Sequence, residues 1–303
     1  MNDKRYAQHI ADLRSNYRPQ RVWGEGKGIL MVIGHFLVGV AGGTWLLGFV
    51  FDVPSALVVA LALGALGAAA HLAFLGRPAR AFKMMRHVRT SWISRGFVGL
   101  SLFLVGGSAY LILQVASPTE GVWALLALVA QAVAWVGTLT IIGYMGFCYT
   151  ASKAIPFWHS PLHPAIYIAF ALRGGIAALM LIAAAMGNGH DDALLYLWLG
   201  VTSVVVLFFI LEIQGALSAR NVAARWSVRD MFAGRLAGLF YGGTLLLGLV
   251  VPVALLGTVD RYTPALLALV GLASMAGDFF MKLSTVRAGV YLPLVAPARR
   301  QRA

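Results

Sequence analysis

Five ionisable residues interrupt long apolar runs of the chain: His35, His71, Arg173, Glu212 and Asp278. A charge facing hydrocarbon is costly, so such residues turn toward a protein interior and are functional candidates by default. Two imidazoles and two carboxylates supply donors, acceptors and exchangeable protons. A quinone headgroup needs these at its two oxygens while its isoprenoid tail stays in lipid. The same residues permit other chemistry. Arg173 could pair with Glu212 or Asp278 only to hold helices together, and either histidine could be structural. His35 and His71 fall at similar depth on consecutive antiparallel runs and could be the axial ligands of one b-type haem. His159 and His163 are four apart in the segment AIPFWHSPLHP. Pro161 breaks their helical spacing and no acidic residue is near in sequence, so no metal site is expected there.

These residues are positioned by eight apolar runs, near 28–52, 54–75, 97–116, 122–147, 164–187, 192–214, 233–257 and 263–282. Each has about the 20 residues that an α-helix needs to cross a hydrocarbon core of about 30 Å. The composition agrees: 60% of residues are apolar, 12% are charged, and the mean hydropathy is +0.80, whereas an average soluble domain is about one-quarter charged. The expected fold is therefore an all-α membrane protein of about eight transmembrane helices. It comprises an N-terminal arm (1–27), a membrane domain (28–285) and a tail (286–303). The net charge of +13 does not point to nucleic acid, because the basic residues lie between apolar runs rather than along one soluble face. A single cysteine, Cys148, excludes both a disulfide framework and a thiolate-held cluster in this chain. The arm carries Lys4, Arg5, Arg14, Arg18, Arg21 and Lys27 around no apolar core, so it does not read as a cleaved signal peptide.

An even number of spans puts both ends on one face. With the loops after the second, fourth and sixth spans, that face takes every Lys and Arg of the 24 except Arg173 and Arg261. Segregation of this kind places the basic face in the cytoplasm, and a bacterial inner membrane is expected. Counted from that face at about 1.5 Å per residue, all five ionisable residues lie within about 15 Å of it. Trp92, Phe157, Trp158, Trp226 and Tyr291 fall at loop edges, as an interfacial aromatic belt would place them. The glycine-rich runs Gly39 to Gly43 and Gly242 to Gly243 are expected at helix contacts. The segment ARAFKMMRHVRTSWISRGFVGL before the third span echoes ARNVAARWSVRDMFAGRLAGLF before the seventh, which suggests two four-helix halves of the same orientation. A secondary transporter is the competing class, but it would place ligands near the midplane in inverted repeats.

Residues His71 to Phe97, HLAFLGRPARAFKMMRHVRTSWISRGF, resemble the DmsC family, the membrane anchor subunits of dimethyl sulfoxide reductase-type molybdopterin oxidoreductases. LGRPARAF and TSWISR carry the likeness. The resemblance implies an anchor without haem. Such anchors hold an iron–sulfur subunit with four clusters and a catalytic subunit with molybdopterin, and exchange electrons with menaquinol or ubiquinol. It also implies that Leu75–Pro78 and Ser91–Arg95 border the quinol pocket and the docking face. Where many members have a histidine and a glutamate, this chain has Phe74 and Gly96. His71, one turn from Phe74, is expected to serve as the histidine, and Glu212 or Asp278 as the carboxylate. The expected quinone pocket lies between the first three spans, with His35, His71 and Arg95 as polar contacts and Trp92 as a wall. Arg77, Arg80, Arg86 and Arg89 are expected to dock the iron–sulfur partner, whose cytoplasmic position would suit a cytoplasmic substrate.

Overall fold

The computed structural model describes residues 3–15, 17–116, 120–187, 192–219, 221–257 and 263–292. Among the described residues, eight helices are long and apolar enough to cross a membrane: α1 (Gly26–Val50), α2 (Pro54–Leu75), α3 (Trp92–Val115), α4 (Gly121–Thr150), α5 (His163–Ala185), α6 (Ala193–Ser218), α7 (Leu239–Gly257) and α8 (Pro264–Arg287). Proline fixes φ without a needed N–H at the first turns of α2, α5 and α8. Thr263 caps α8 by accepting the Leu266 amide at 3.3 Å. Gly76, in the left-handed region at φ 66°, ends α2.

Several boundaries differ from the sequence reading. Helix α3 begins at Trp92 rather than near 97, because the Ser91 hydroxyl receives the Ser94 amide and starts the first turn. The SWISR segment is therefore helical and not connector. The seventh span begins at Leu239, not 233, and is a π-helix as far as Val250. The residues before it form a separate helix, Val222–Ala233, capped by the Asn221 side chain. Helix α8 runs on to Arg287, so Lys282, expected on the basic surface, is buried inside the bundle. Its ammonium lies 5.6 Å from the centre of the Phe36 ring and 5.5 Å from that of Tyr167.

The helices pack in sequence as α1 on α2, α3 on α4, α5 on α6 and α7 on α8. Helices α1 and α5 are the most buried, at 67% and 61% of their apolar windows. They join the two four-helix sets back to back. At that seam a Cβ on Gly43 would lie 1.9 Å from the Ala171 carbonyl oxygen, so only glycine permits the contact. Gly243 likewise takes the Phe280 ring, whereas a Cβ on Gly242 would meet open space. Leu66, Val105, Leu128, Leu139 and Leu207 cover the outer surface, which suits lipid.

Both described ends of the chain lie on the basic face, joined by an antiparallel bridge between Pro19 and Val290. The Gln20 amide donates to Gly289 at 2.7 Å and the Tyr291 amide to Arg18 at 2.9 Å. Arg21 pairs with Asp12 and Glu25, and Arg235 with Glu25 and Asp230. Asp12 is partly buried, which raises a carboxyl, but the Arg21 and Gln8 hydrogen bonds outweigh this and hold it below the usual carboxylate range. Most of the tail (293–303), with Arg220, Asp260 and Arg261, lies outside the described residues.

The expected aromatic belt holds only in part. Trp226 is 42% exposed and stacks on Tyr17, but Phe157 and Trp158 are each 2% exposed. Trp158 stacks on Trp23 of the arm and donates to the Thr285 carbonyl at 3.0 Å, because the loop after α4 folds inward beneath the arm. The two echoed segments also diverge. Trp92 starts a span, while Trp226 sits in the separate connector helix.

Candidate functional site

His35 of α1 and His71 of α2 face each other, with ring centroids 4.9 Å apart. His35 is buried and His71 half-buried. Gly34 makes room for the pair, since a Cβ there would stand 2.6 Å from His71 Nδ1. Helix α4 adds two phenols that the sequence reading passed over. Tyr144 Oη lies 3.3 Å from His71 Nε2, and Tyr149 Oη lies 3.4 Å from His35 Nδ1. Each imidazole thus has a buried phenol as a hydrogen-bond partner, a set able to donate to and accept from one polar ligand.

Gly96 of α3 is what admits Tyr144. A Cβ at position 96 would come 2.1 Å from Tyr144 Cδ2, so the missing side chain leaves the space the phenol ring fills. Tyr144 therefore fills the space beside position 96, where the resemblance implies a glutamate. Trp92 and Arg95, expected to complete the pocket, form a neighbouring cluster instead. Trp92 stacks on Phe147 of α4 at 4.3 Å. The Arg95 guanidinium lies over Trp92 at 4.2 Å and donates to the carbonyls of Val88 and Arg89. Arg77, Arg80, Arg86 and Arg89 are exposed along that connector, and none forms an ion pair among the described residues.

Glu212 and Asp278 are placed in the other four-helix set, apart from the histidine pair. Asp278 of α8 binds Arg173 of α5 through Oδ1. Arg173 also donates through Nε to Thr202 at 2.9 Å and through Nη2 to the Gly248 carbonyl, which ties α5, α6, α7 and α8 together. This is the helix-holding ion pair that the sequence allowed. Glu212 receives the Ser160 hydroxyl at 2.7 Å. Its Oε1 lies 3.1 Å from His163 Nδ1, within ion-pair range but not aligned as a hydrogen bond. His159 turns away to the Thr150 carbonyl, so the two histidines of that loop do not converge.

The two sets meet through aromatic rings. Tyr149 lies 5.2 Å from Tyr167 and 6.0 Å from His163, and Tyr167 packs against Lys282. A cavity of about 440 Å³ on the basic face reaches Glu212, with Lys153, Ser160 and Asn221 in its wall. A larger one of about 550 Å³, unforeseen from sequence, lies among α5 to α8. Among the described residues no group of three or more His, Cys, Asp or Glu gathers as metal ligands.

A family model described as "Polysulphide reductase, NrfD" matches residues 15–293. No curated protein matches the chain.

Proposed function

The chain belongs to the NrfD family, and from that premise we propose that it is the membrane anchor and quinone-exchange subunit of a molybdopterin and iron–sulfur oxidoreductase complex. The LGRPARAF and TSWISR segments favour the DmsC type of anchor within that description. The basic face would be cytoplasmic by the segregation of Lys and Arg. Arg77, Arg80, Arg86 and Arg89 offer an iron–sulfur subunit a positive, uncompensated surface on the same side as the histidine pair.

The observation that carries this reading is the pairing of His35 and His71, each with its own phenol, in spans otherwise almost wholly apolar. A quinone bound there would supply two-electron, two-proton redox chemistry. Tyr144 and His71 would bind one headgroup oxygen by exchanging donor and acceptor roles. His35 would hold a proton at Nε2 while Tyr149 fixes its other nitrogen. Beyond Tyr149, the Tyr167, His163 and Glu212 side chains mark a direction for protons toward the basic-face cavity. The half-exposed edge of His71 leaves an approach from lipid. The b-type haem alternative is disfavoured, because imidazoles 4.9 Å apart leave no room for a macrocycle between them.

The test is His71→Ala in the assembled complex. Quinone-linked turnover should fall by at least about tenfold, as loss of a positioned proton-transfer group does, while turnover with a soluble dye persists. Equal loss of both activities would mean that His71 serves assembly only.

A further inference from the structure

The 550 Å³ cavity among α5 to α8 is not used by the site above. None of its lining residues comes from α1 to α4, and its volume falls within the roughly 300–1,000 Å³ of small-molecule sites. Phe170, Phe209, Phe232 and Phe240 supply aromatic wall, with Leu245 and Met281 between them. The wall is not wholly apolar. Asp278 is fully buried, and while its Oδ1 is held by Arg173, its Oδ2 has no hydrogen-bond partner. Thr244 Oγ1 is also buried without one. Both atoms belong to residues that line the cavity.

A buried acceptor left unpaired is costly, and a ligand that donates to it removes that cost. We propose that this cavity binds a second lipophilic molecule, a hydroxyl-headed aromatic amphiphile of the quinol class, seated with its hydroxyl toward Asp278 Oδ2. Three features select that chemistry. Arg173 already directs each of its nitrogens to a protein acceptor, Thr202, Asp278 and Gly248, so Asp278 Oδ2 is left as a buried acceptor that no protein donor reaches, while the Thr244 hydroxyl can donate or accept. An oxidised quinone, which only accepts, could take the Thr244 hydroxyl but would leave Asp278 Oδ2 unmatched, whereas a quinol hydroxyl donates to it. A phospholipid acyl chain would fill the apolar volume but leave Asp278 Oδ2 unmatched. Access comes from the membrane side, because Ile210 and Leu217 line the cavity and are 55% and 51% exposed on the outer surface of α6. The site goes beyond the two-histidine reading and does not depend on it.

Native mass spectrometry of the purified chain titrated with decylubiquinol separates the two. The wild type should bind two molecules. Val206→Trp, which fills the cavity from α6, and His71→Ala should each remove one of them. In the His71→Ala background, Thr244→Val should weaken the remaining event, and decylubiquinone or dioleoyl phosphatidylglycerol should bind about tenfold more weakly than the quinol, the worth of one lost buried hydrogen bond. If Val206→Trp binds as the wild type does, or if quinone or phospholipid binds the His71→Ala protein as tightly as quinol, the cavity assignment is overturned. If Val206→Trp removes one molecule and His71→Ala removes none, the cavity site stands and the two-histidine site fails.

Discussion

Gly96→Ala perturbs the candidate site by one methyl group. The added Cβ would stand 2.1 Å from Tyr144 Cδ2, where ordinary contact begins at 3.4 Å, so the ring must retreat by more than an ångström. The Tyr144 hydroxyl is already 3.3 Å from His71 Nε2, and a retreat of that size breaks the contact. Overpacking of this kind costs about 1–3 kcal/mol of stability, and the lost hydrogen bond about 0.5–1.5 kcal/mol. If the phenol helps to hold the headgroup, the second figure corresponds to a rise of about 2- to 12-fold in KM for quinone. Tyr144→Phe isolates that part, since it removes the hydroxyl without a clash. It should show the KM change with little loss of melting temperature in detergent. Gly96→Ala should show both effects. An unchanged KM in Tyr144→Phe, or a wild-type melting temperature in Gly96→Ala, would refute the reasoning.

Three other perturbations have definite outcomes. Arg173→Ala leaves the Asp278 carboxylate buried and unpaired at a four-helix junction, so thermal unfolding in detergent should show a loss of about 3–5 kcal/mol, partly recovered by Arg173→Met with Asp278→Leu. Asp12 is held below its ordinary value by Arg21. The stability it lends the arm is thus present above the unfolded carboxyl range near pH 4 and is lost as pH falls through the lower folded value. Protease cleavage within the arm should accelerate only in acid, and in Arg21→Gln it should already be faster at neutral pH, with the acid-dependent increase reduced. Reversing Arg77, Arg80, Arg86 and Arg89 to Glu should reduce co-purification of the iron–sulfur subunit, and in the wild type that association should weaken with added salt. Insensitivity to salt would remove these arginines from the docking face.

Much of the fold could be read from hydropathy and charge because both are one-dimensional signals. Eight runs of sufficient length and one-sided Lys and Arg determine span number and the shared face of the ends. Lys282 shows the limit. Counted by its position near the end of an apolar run, it resembled a surface anchor, yet α8 continues for another turn and carries it inward. The site was legible where charge made residues conspicuous. His35 and His71 were found and do meet, but Tyr144 and Tyr149 are neutral and escaped a search for ionisable intruders. Gly96 could have pointed to them, since a missing side chain in a packed bundle makes room for a neighbour. Asp278 was conspicuous too, but depth gives no azimuth, and only packing shows that it turns toward Arg173 and away from the histidines.

The join between Pro19 and Val290 also bears on how this membrane protein matures. Arg287 donates to the Gly24 carbonyl across a separation of 263 residues, and the arm's Trp23 stacks on Trp158 of a loop in mid-chain. The arm before α1 thus finds its final neighbours only when α8 has entered the bilayer. A chain halted before α8 would have an unfinished basic face. On the anchor reading proposed above, recruitment of catalytic subunits would thereby be coupled to completion of the membrane domain.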